Sequence, residues 1–175
     1  MTNSRRKIIA SLGAISTWFG VAGQARAAQP LITPALRDAQ AEREIIALLH
    51  HLHGAFEQRD LAFVAGLLSN VDFLASFEIA PDGGPAIFSS RSDLLSYLHG
   101  VFDHYGEGAE LVIKTNPRVP HTALATKDFG VTVEQCVLDA RLASGKTETL
   151  NMRGTTAFRR EADGWKIVHW HVSTG

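Results

Sequence analysis

Residues 153–173 constrain the fold more than any other stretch of this chain. Arg153-Gly154-Thr155-Thr156-Ala157-Phe158-Arg159-Arg160 and Lys166-Ile167-Val168-His169-Trp170-His171-Val172-Ser173 both read as strands, and Asp163-Gly164-Trp165 reads as the turn between them. Two long strands joined this closely pair antiparallel. On an unbroken alternation, Arg153, His169 and His171 meet on one face.

The rest of the chain supplies helices first and strands after. Thr33-Pro34 is a helix start, a capping hydroxyl followed by proline at the first helical position. Ile45, Leu49, Leu52 and Phe56 then form one apolar stripe, and the helix should end near Arg59. Asp60 is the cap expected for a shorter helix carrying Leu61, Val64, Leu67 and Leu68. Phe73, Ala75 and Phe77 alternate with Asp72, Ser76 and Glu78, a strand pattern over 71–79. Pro81-Asp82-Gly83-Gly84-Pro85 is a turn by composition, with a short strand at 86–89 pairing back. Ser90 caps a third helix with Asp93 three residues on, its stripe being Leu94, Leu98, Val101 and Tyr105 and its stop Gly106. From Glu110 onward strands are expected at 110–116, 121–127, 129–142, 147–160 and 165–173. The fold class is α+β, helices followed by an antiparallel sheet, in one domain over 40–175.

The N-terminus reads as a leader. Ser4-Arg5-Arg6-Lys7 is a basic segment, 8–21 is weakly apolar, and Ala25-Arg26-Ala27 carries small residues where a signal peptidase cuts. Residues 1–27 are therefore a signal peptide, and 28–39 a linker and helix start. The apolar part is shorter than the ~20 residues of a membrane span. Paired arginines before Ile8 and Ile9 resemble a twin-arginine export signal; an ordinary secretion signal is the alternative. The expected location is periplasmic or secreted. Without Arg5, Arg6, Lys7 and Arg26, 13 basic groups face 18 acidic ones, a formal charge of −5. With no Lys/Arg-rich patch, nucleic acid and anionic membrane surfaces are excluded as partners. Cys136 is the only cysteine, so no disulfide forms within the chain, and its strand context makes it a buried, inert thiol.

This order of elements resembles the SnoaL-like branch of the nuclear transport factor 2-like superfamily. Phe56-Glu57-Gln58-Arg59-Asp60-Leu61 carries the resemblance at the first helix turn. Arg153 to Thr155, Phe158, Asp163-Gly164-Trp165, His169, His171 and Ser173 carry it at the end. The similarity spans about residues 40–174. It implies a cone-shaped curved antiparallel sheet wrapped around a long N-terminal helix, with three helices, a small-molecule pocket at the mouth, and a homodimer through the outer sheet face. Ketosteroid isomerases share this fold. Their tyrosine falls at about Leu52 here and their aspartate at about Ser76, and both departures argue against that chemistry.

The last two strands define a candidate site. On straight alternation one face carries Asn151, Arg153, Thr155, Trp165, Ile167, His169, His171 and Ser173; the other carries Leu150, Met152, Phe158, Val168, Trp170 and Val172. Trp165 and Ile167 would be wasted in water, so the Arg/His face is expected to line the pocket and the apolar face to be covered by a partner copy. The alternative is a solvated Arg/His face. His169, His171, Arg153 and Glu78 are the candidate catalytic groups. Arg153 would hold an anion, and a neutral histidine beside it would act as base. The ligand-binding set is Arg153, Thr155, Asn151, Trp165, His53 and Ser76. An internal ion pair of Arg153 with Glu78 or Glu134 is the competing use. His169 and His171, ~7 Å apart along a strand, allow joint metal ligation with Glu78, Glu134 or His53 as a third ligand, but two histidines alone do not assign a metal. No metal and no cofactor are assigned. On the first helix His53 borders the apolar stripe, His50 sits further off and His51 points away; His99, His104 and His121 read as surface residues.

Two functional readings lead. One is an exported dimer that binds a small organic molecule. The other is an acid–base enzyme (isomerase, cyclase or dehydratase type) acting on a small carbonyl compound in the same pocket. A dimeric assembly module without catalysis is the third.

Overall fold

In this computed structural model the described residues are 36–78, 86–116 and 121–174. The leader at 1–27, the linker, the Thr33-Pro34 helix start and the turn at 81–85 lie outside them. Among the described residues no helix is long and apolar enough to cross a membrane.

Helix α1 spans Ala39–Glu57. Its cap is Asp38, whose carboxylate accepts from the Gln40 and Ala41 amides at 2.9 and 3.0 Å. Ala41, Ile45, Leu49, Leu52, Ala55 and Phe56 form its buried stripe. Ile45 and Leu49 are fully buried, each contributing roughly 1.5–3 kcal/mol by removal from water. Both ends of α1 are pinned to the sheet. The Asp38 amide donates to Ala125 O at 2.8 Å, and Glu57 Oε1 accepts from the Ile113 amide at 2.6 Å. The chain then turns through Arg59, at φ 59°. This left-handed conformation costs a non-glycine residue roughly 1–2 kcal/mol. It is held by the Arg59 guanidinium, which donates to Gly106 O and Ala109 O at 2.8 and 3.2 Å.

Asp60 caps α2 (Leu61–Leu67), accepting from the Phe63 amide at 2.9 Å. Strand β1 (Leu74–Glu78) and β2 (Ala86–Phe88) pair antiparallel. Ser90 caps α3 (Arg91–Tyr105), which stops at Gly106 with φ 81°, a value glycine adopts without penalty. Then come β3 (Glu110–Thr115), β4 (Thr122–Ala125), β5 (Phe129–Arg141), β6 (Thr147–Glu161) and β7 (Gly164–Thr174). Three helices and a curved, open seven-stranded sheet confirm the α+β expectation. The strand order is β2-β1-β7-β6-β5-β3, with β4 also on β5. One pairing differs from the antiparallel expectation: β1 runs parallel to β7, so the sheet is mixed. This contact joins segments 95 residues apart, Leu74 opposite His169, and local pattern carries no sign of it.

Two irregularities matter for the site. β3 pairs with the second half of β5 as far as Thr115 opposite Cys136, and β4 pairs with the first half from Thr122 opposite Val133. Gln135 O still accepts from the Asn116 amide at 3.0 Å, and Glu134 lies between the two named pairings. In β6–β7, Ala157 lies opposite His169 but Phe158 lies opposite Ile167, so Val168 is an extra residue. A bulge of this kind reverses the alternation beyond it. Trp165 and Ile167 before the bulge, and Trp170 and Val172 after it, all face α1 and are buried. The expectation that Trp165 and Ile167 share a face with His169 and His171 is thereby corrected. So is the expected partner copy over Trp170. The helices of the same chain cover that face, and Trp170 is 6% exposed with its ring 5.1 Å from that of Phe77.

Candidate functional site

A partly open cavity lies between the inner face of the sheet and α1. Its volume is about 50 Å³, room for roughly three to five waters at ~10–15 Å³ each. Leu52, Phe56, Phe77, Ile113, Met152 and Trp170 give it an apolar wall, and His53 and Glu134 give it one polar edge. A largely apolar cavity with few convergent polar groups is the usual form of a small-molecule site.

Glu134 is on β5, on the inner side with Thr132, Cys136 and Leu138. Its place depends on Gly154 across the β5–β6 ladder. A Cβ at Gly154 would lie 2.9 Å from Glu134 Oε1 and 3.1 Å from its Cγ, so glycine leaves the space that the carboxylate occupies. A second tight glycine, Gly130, lets α1 settle on β5, where a Cβ would come within 2.7 Å of Ile45 Cδ1.

Three ionisable side chains converge at this edge. His53 Nε2 lies 3.0 Å from Glu134 Oε2, and His121 Nε2 lies 3.6 Å from the same oxygen. Exposures are 14% for the His53 side chain, 5% for His121 and 7% for Glu134. Neither approach has hydrogen-bond alignment. Glu134 Oε2 and both ring nitrogens of His121 have no hydrogen-bond partner among the described residues. Each buried polar atom left this way costs roughly 1–3 kcal/mol. Burial lowers the His121 pKa below the usual histidine value; Glu134 opposes this, and His50 and His53 add to it. His121 is thus a neutral imidazole near pH 7. Its ring stacks on that of His50 with centroids 4.8 Å apart, and meets His53 edge-on at 5.7 Å. Ligand atoms of His53, His121 and Glu134 all lie within 4.8 Å of one another, which makes this trio able to hold a metal ion. On the same strand the Cys136 thiol is pushed up to about 12 by burial and by Glu134, so it is no nucleophile.

Of the residues expected at the site, His53 alone lines this cavity. Asn151, Arg153 and Thr155 project from the outer side of β6, the half opposite to buried Met152, Gly154 and Thr156. His169 and His171 sit beyond the bulge on the outer side of β7, and Ser76 and Glu78 on the outer side of β1. These groups do meet: Thr155 and Ser76 both flank His171, Arg153 faces Ser173, and His171 Nε2 lies 3.9 Å from Glu78 Oε1. They meet on the other side of the sheet. The pocket placement of Arg153, His169, His171 and Ser76 is corrected for this reason, and the Val168 bulge is its physical cause. Trp165 faces inward but away from the cavity; its Nε1 donates to Glu44 Oε2 at 2.9 Å and the Arg160 guanidinium lies 4.4 Å from its ring centroid. His99 and His104 are exposed as expected, whereas His121 is half-buried, with its side chain turned inward and 5% exposed.

Two site residues carried little or no sign in the sequence. Glu134 had one: it interrupts an inward series of Gly130, Thr132, Cys136, Leu138 and Ala140. His121 had none, because the β3–β4 break that carries it inward is a tertiary feature.

A family profile described as a SnoaL-like domain matches residues 45–175. No curated protein matches the chain. Solved structures resemble its fold. An NTF2-like protein from Pseudomonas putida KT2440 is 19% identical with a TM-score of 0.63, over 78% of this chain and 88% of that one. A nuclear transport factor 2 superfamily protein from Salmonella enterica serovar Typhimurium LT2 is 20% identical, TM-score 0.60, over 77% and 91%. An NTF2-like protein with a cystatin-like fold from Novosphingobium aromaticivorans is 18% identical, TM-score 0.60, over 77% and 82%. At these identities the likeness speaks for the fold.

Proposed function

The chain belongs to the SnoaL-like domain family, and from that premise we propose that it binds a small organic molecule in the cavity between α1 and the sheet. One observation carries the reading: an apolar cavity of about 50 Å³ with a single polar edge, His53 and Glu134. The ligand that fits has a small apolar body and one polar head, a carbonyl or hydroxyl, set against that edge. Native mass spectrometry of protein recovered from the cell envelope tests this, with a denatured control. Extra mass that leaves on denaturation supports it. A bare chain whose tryptophan fluorescence, from Trp165 and Trp170, is unmoved by three- to five-carbon ketones and alcohols overturns it.

Acid–base catalysis in the same cavity is the second reading. The observation favouring it is Glu134 Oε2, buried without a hydrogen-bond partner among the described residues, as suits a base awaiting a proton. Glu134→Gln keeps the shape and removes the base. A loss of turnover far beyond the loss of binding would mark an enzyme.

Export and dimerisation complete the proposal. The leader-like composition of 1–27 supports export to the periplasm or beyond; Arg5→Lys with Arg6→Lys should leave precursor in the cytoplasm, and normal export would refute twin-arginine routing. The homodimer would use the outer sheet face, where Leu74 and Val133 are 44% and 51% exposed.

A further inference from the structure

We propose that His53, His121 and Glu134 form a three-ligand site for a divalent transition-metal ion, open toward the cavity. The proposal deepens the reading of the same site, and it rests on that reading only for where the ligand's polar head sits.

Distance supports it first. Two ligand atoms ~2.0–2.1 Å from a tetrahedral zinc ion lie roughly 3.3 Å apart. The approaches to Glu134 Oε2 are 3.0 Å from His53 and 3.6 Å from His121, on either side of that value. Lone pairs support it next. An ordinary histidine–carboxylate pair would align a hydrogen bond, and a single carboxylate oxygen here has two imidazoles near it and accepts from neither. The His121 side chain, 5% exposed, has both nitrogens without a hydrogen-bond partner among the described residues. An imidazole nitrogen without a hydrogen-bond partner is a lone pair that a metal ion can take up.

The donor set narrows the ion. Two imidazole nitrogens and one carboxylate oxygen suit Zn²⁺, Co²⁺ or Fe²⁺ better than Ca²⁺ or Mg²⁺, which take oxygen ligands. Three protein ligands leave a coordination position free, the form of catalytic rather than structural sites. His53 and Glu134 both line the cavity, so that position faces the ligand. The cation would supply a Lewis acid for a carbonyl or hydroxyl held there.

The test is a Co²⁺ titration of metal-stripped protein, followed by visible absorption. One equivalent with the intense bands of four- or five-coordinate cobalt is expected. His53→Ala and Glu134→Gln should each weaken binding at least 100-fold, and His171→Ala, on the outer face, should leave it unchanged. His53 is the least buried of the three, so its variant is the one expected to keep the fold, and circular dichroism checks this. Wild-type protein with only the weak spectrum of six-coordinate cobalt overturns the proposal, as does unchanged affinity in folded His53→Ala. Tryptophan fluorescence with the ketone and alcohol panel in EDTA separates the two readings. Ligand binding without cobalt binding removes the metal and leaves the cavity; cobalt binding without ligand binding does the reverse.

Discussion

Gly154→Ala offers a sharp separation of site from scaffold. The added methyl would stand 2.9 Å from Glu134 Oε1, 3.1 Å from Cγ and 3.4 Å from Cδ. Ordinary contact begins near 3.4 Å, so the carboxylate must retreat by about 0.5 Å. Its end is flexible, which puts the overpacking cost at the low end of the usual range, about 1 kcal/mol. Alanine in place of glycine within a strand recovers roughly 0.5–1 kcal/mol of backbone entropy. The net change in stability is close to zero, and Tm should stay within about 3 °C, given ~2–4 °C per kcal/mol. The site should respond differently. A ligand displaced by 0.5 Å loses alignment with both histidines, and metal or ligand affinity should fall by about 10–100-fold, the scale seen when a ligand's support is removed. Gly130→Ala is the counterpart. Its methyl would meet Ile45 Cδ1 at 2.7 Å and Ala125 Cβ at 3.1 Å inside the core, costing about 1–3 kcal/mol and moving Tm down without touching Glu134. Thermal melts and Co²⁺ titrations on both variants are the assay. Wild-type affinity in Gly154→Ala, or parallel losses of stability and affinity in both variants, would refute the reasoning.

Three further outcomes are expected. Trp170→Glu should unfold the chain and not merely dissociate a dimer, because it buries a charge beside Phe77; a folded soluble variant by circular dichroism would count against the inward placement. Cys136, buried and with its pKa pushed up to about 12, should resist a thiol reagent at pH 8 until denaturant is added; rapid labelling of native protein would contradict this. Glu44 is held at about 2, chiefly by the hydrogen bond from Trp165 Nε1. A depressed carboxylate stabilises the fold above its unfolded value of ~4.3 and loses that contribution as pH falls through the folded value. The Tm difference between wild type and Glu44→Gln should therefore be present at pH 6 and shrink between pH 4.5 and 2; a pH-independent difference would be inconsistent.

Local signals were legible and tertiary ones were not. Asp60, Ser90 and Gly106 act through bonds to their own neighbours, so the starts of α2 and α3 and the end of α3 could be read directly. The long strands could be read from alternation. Alternation misplaced the site because it has no way to register one extra residue: Val168 turns His169 and His171 outward while Trp165 and Ile167 stay inside. His53 was legible from its border position on the α1 stripe. Glu134 was half legible, a carboxylate in an inward apolar series. His121 was not, since nothing in its neighbours shows that β3 and β4 part at that level of β5.

On the proposed reading the ligand's polar head meets Glu134 inside the cavity and not Arg153 outside it. The most direct measurement is a side-by-side tryptophan fluorescence titration of wild type, Glu134→Gln and Arg153→Ala with whichever ketone or alcohol binds best. At least a tenfold loss is expected in Glu134→Gln and no change in Arg153→Ala. Unchanged affinity in Glu134→Gln with loss in Arg153→Ala would contradict that reading.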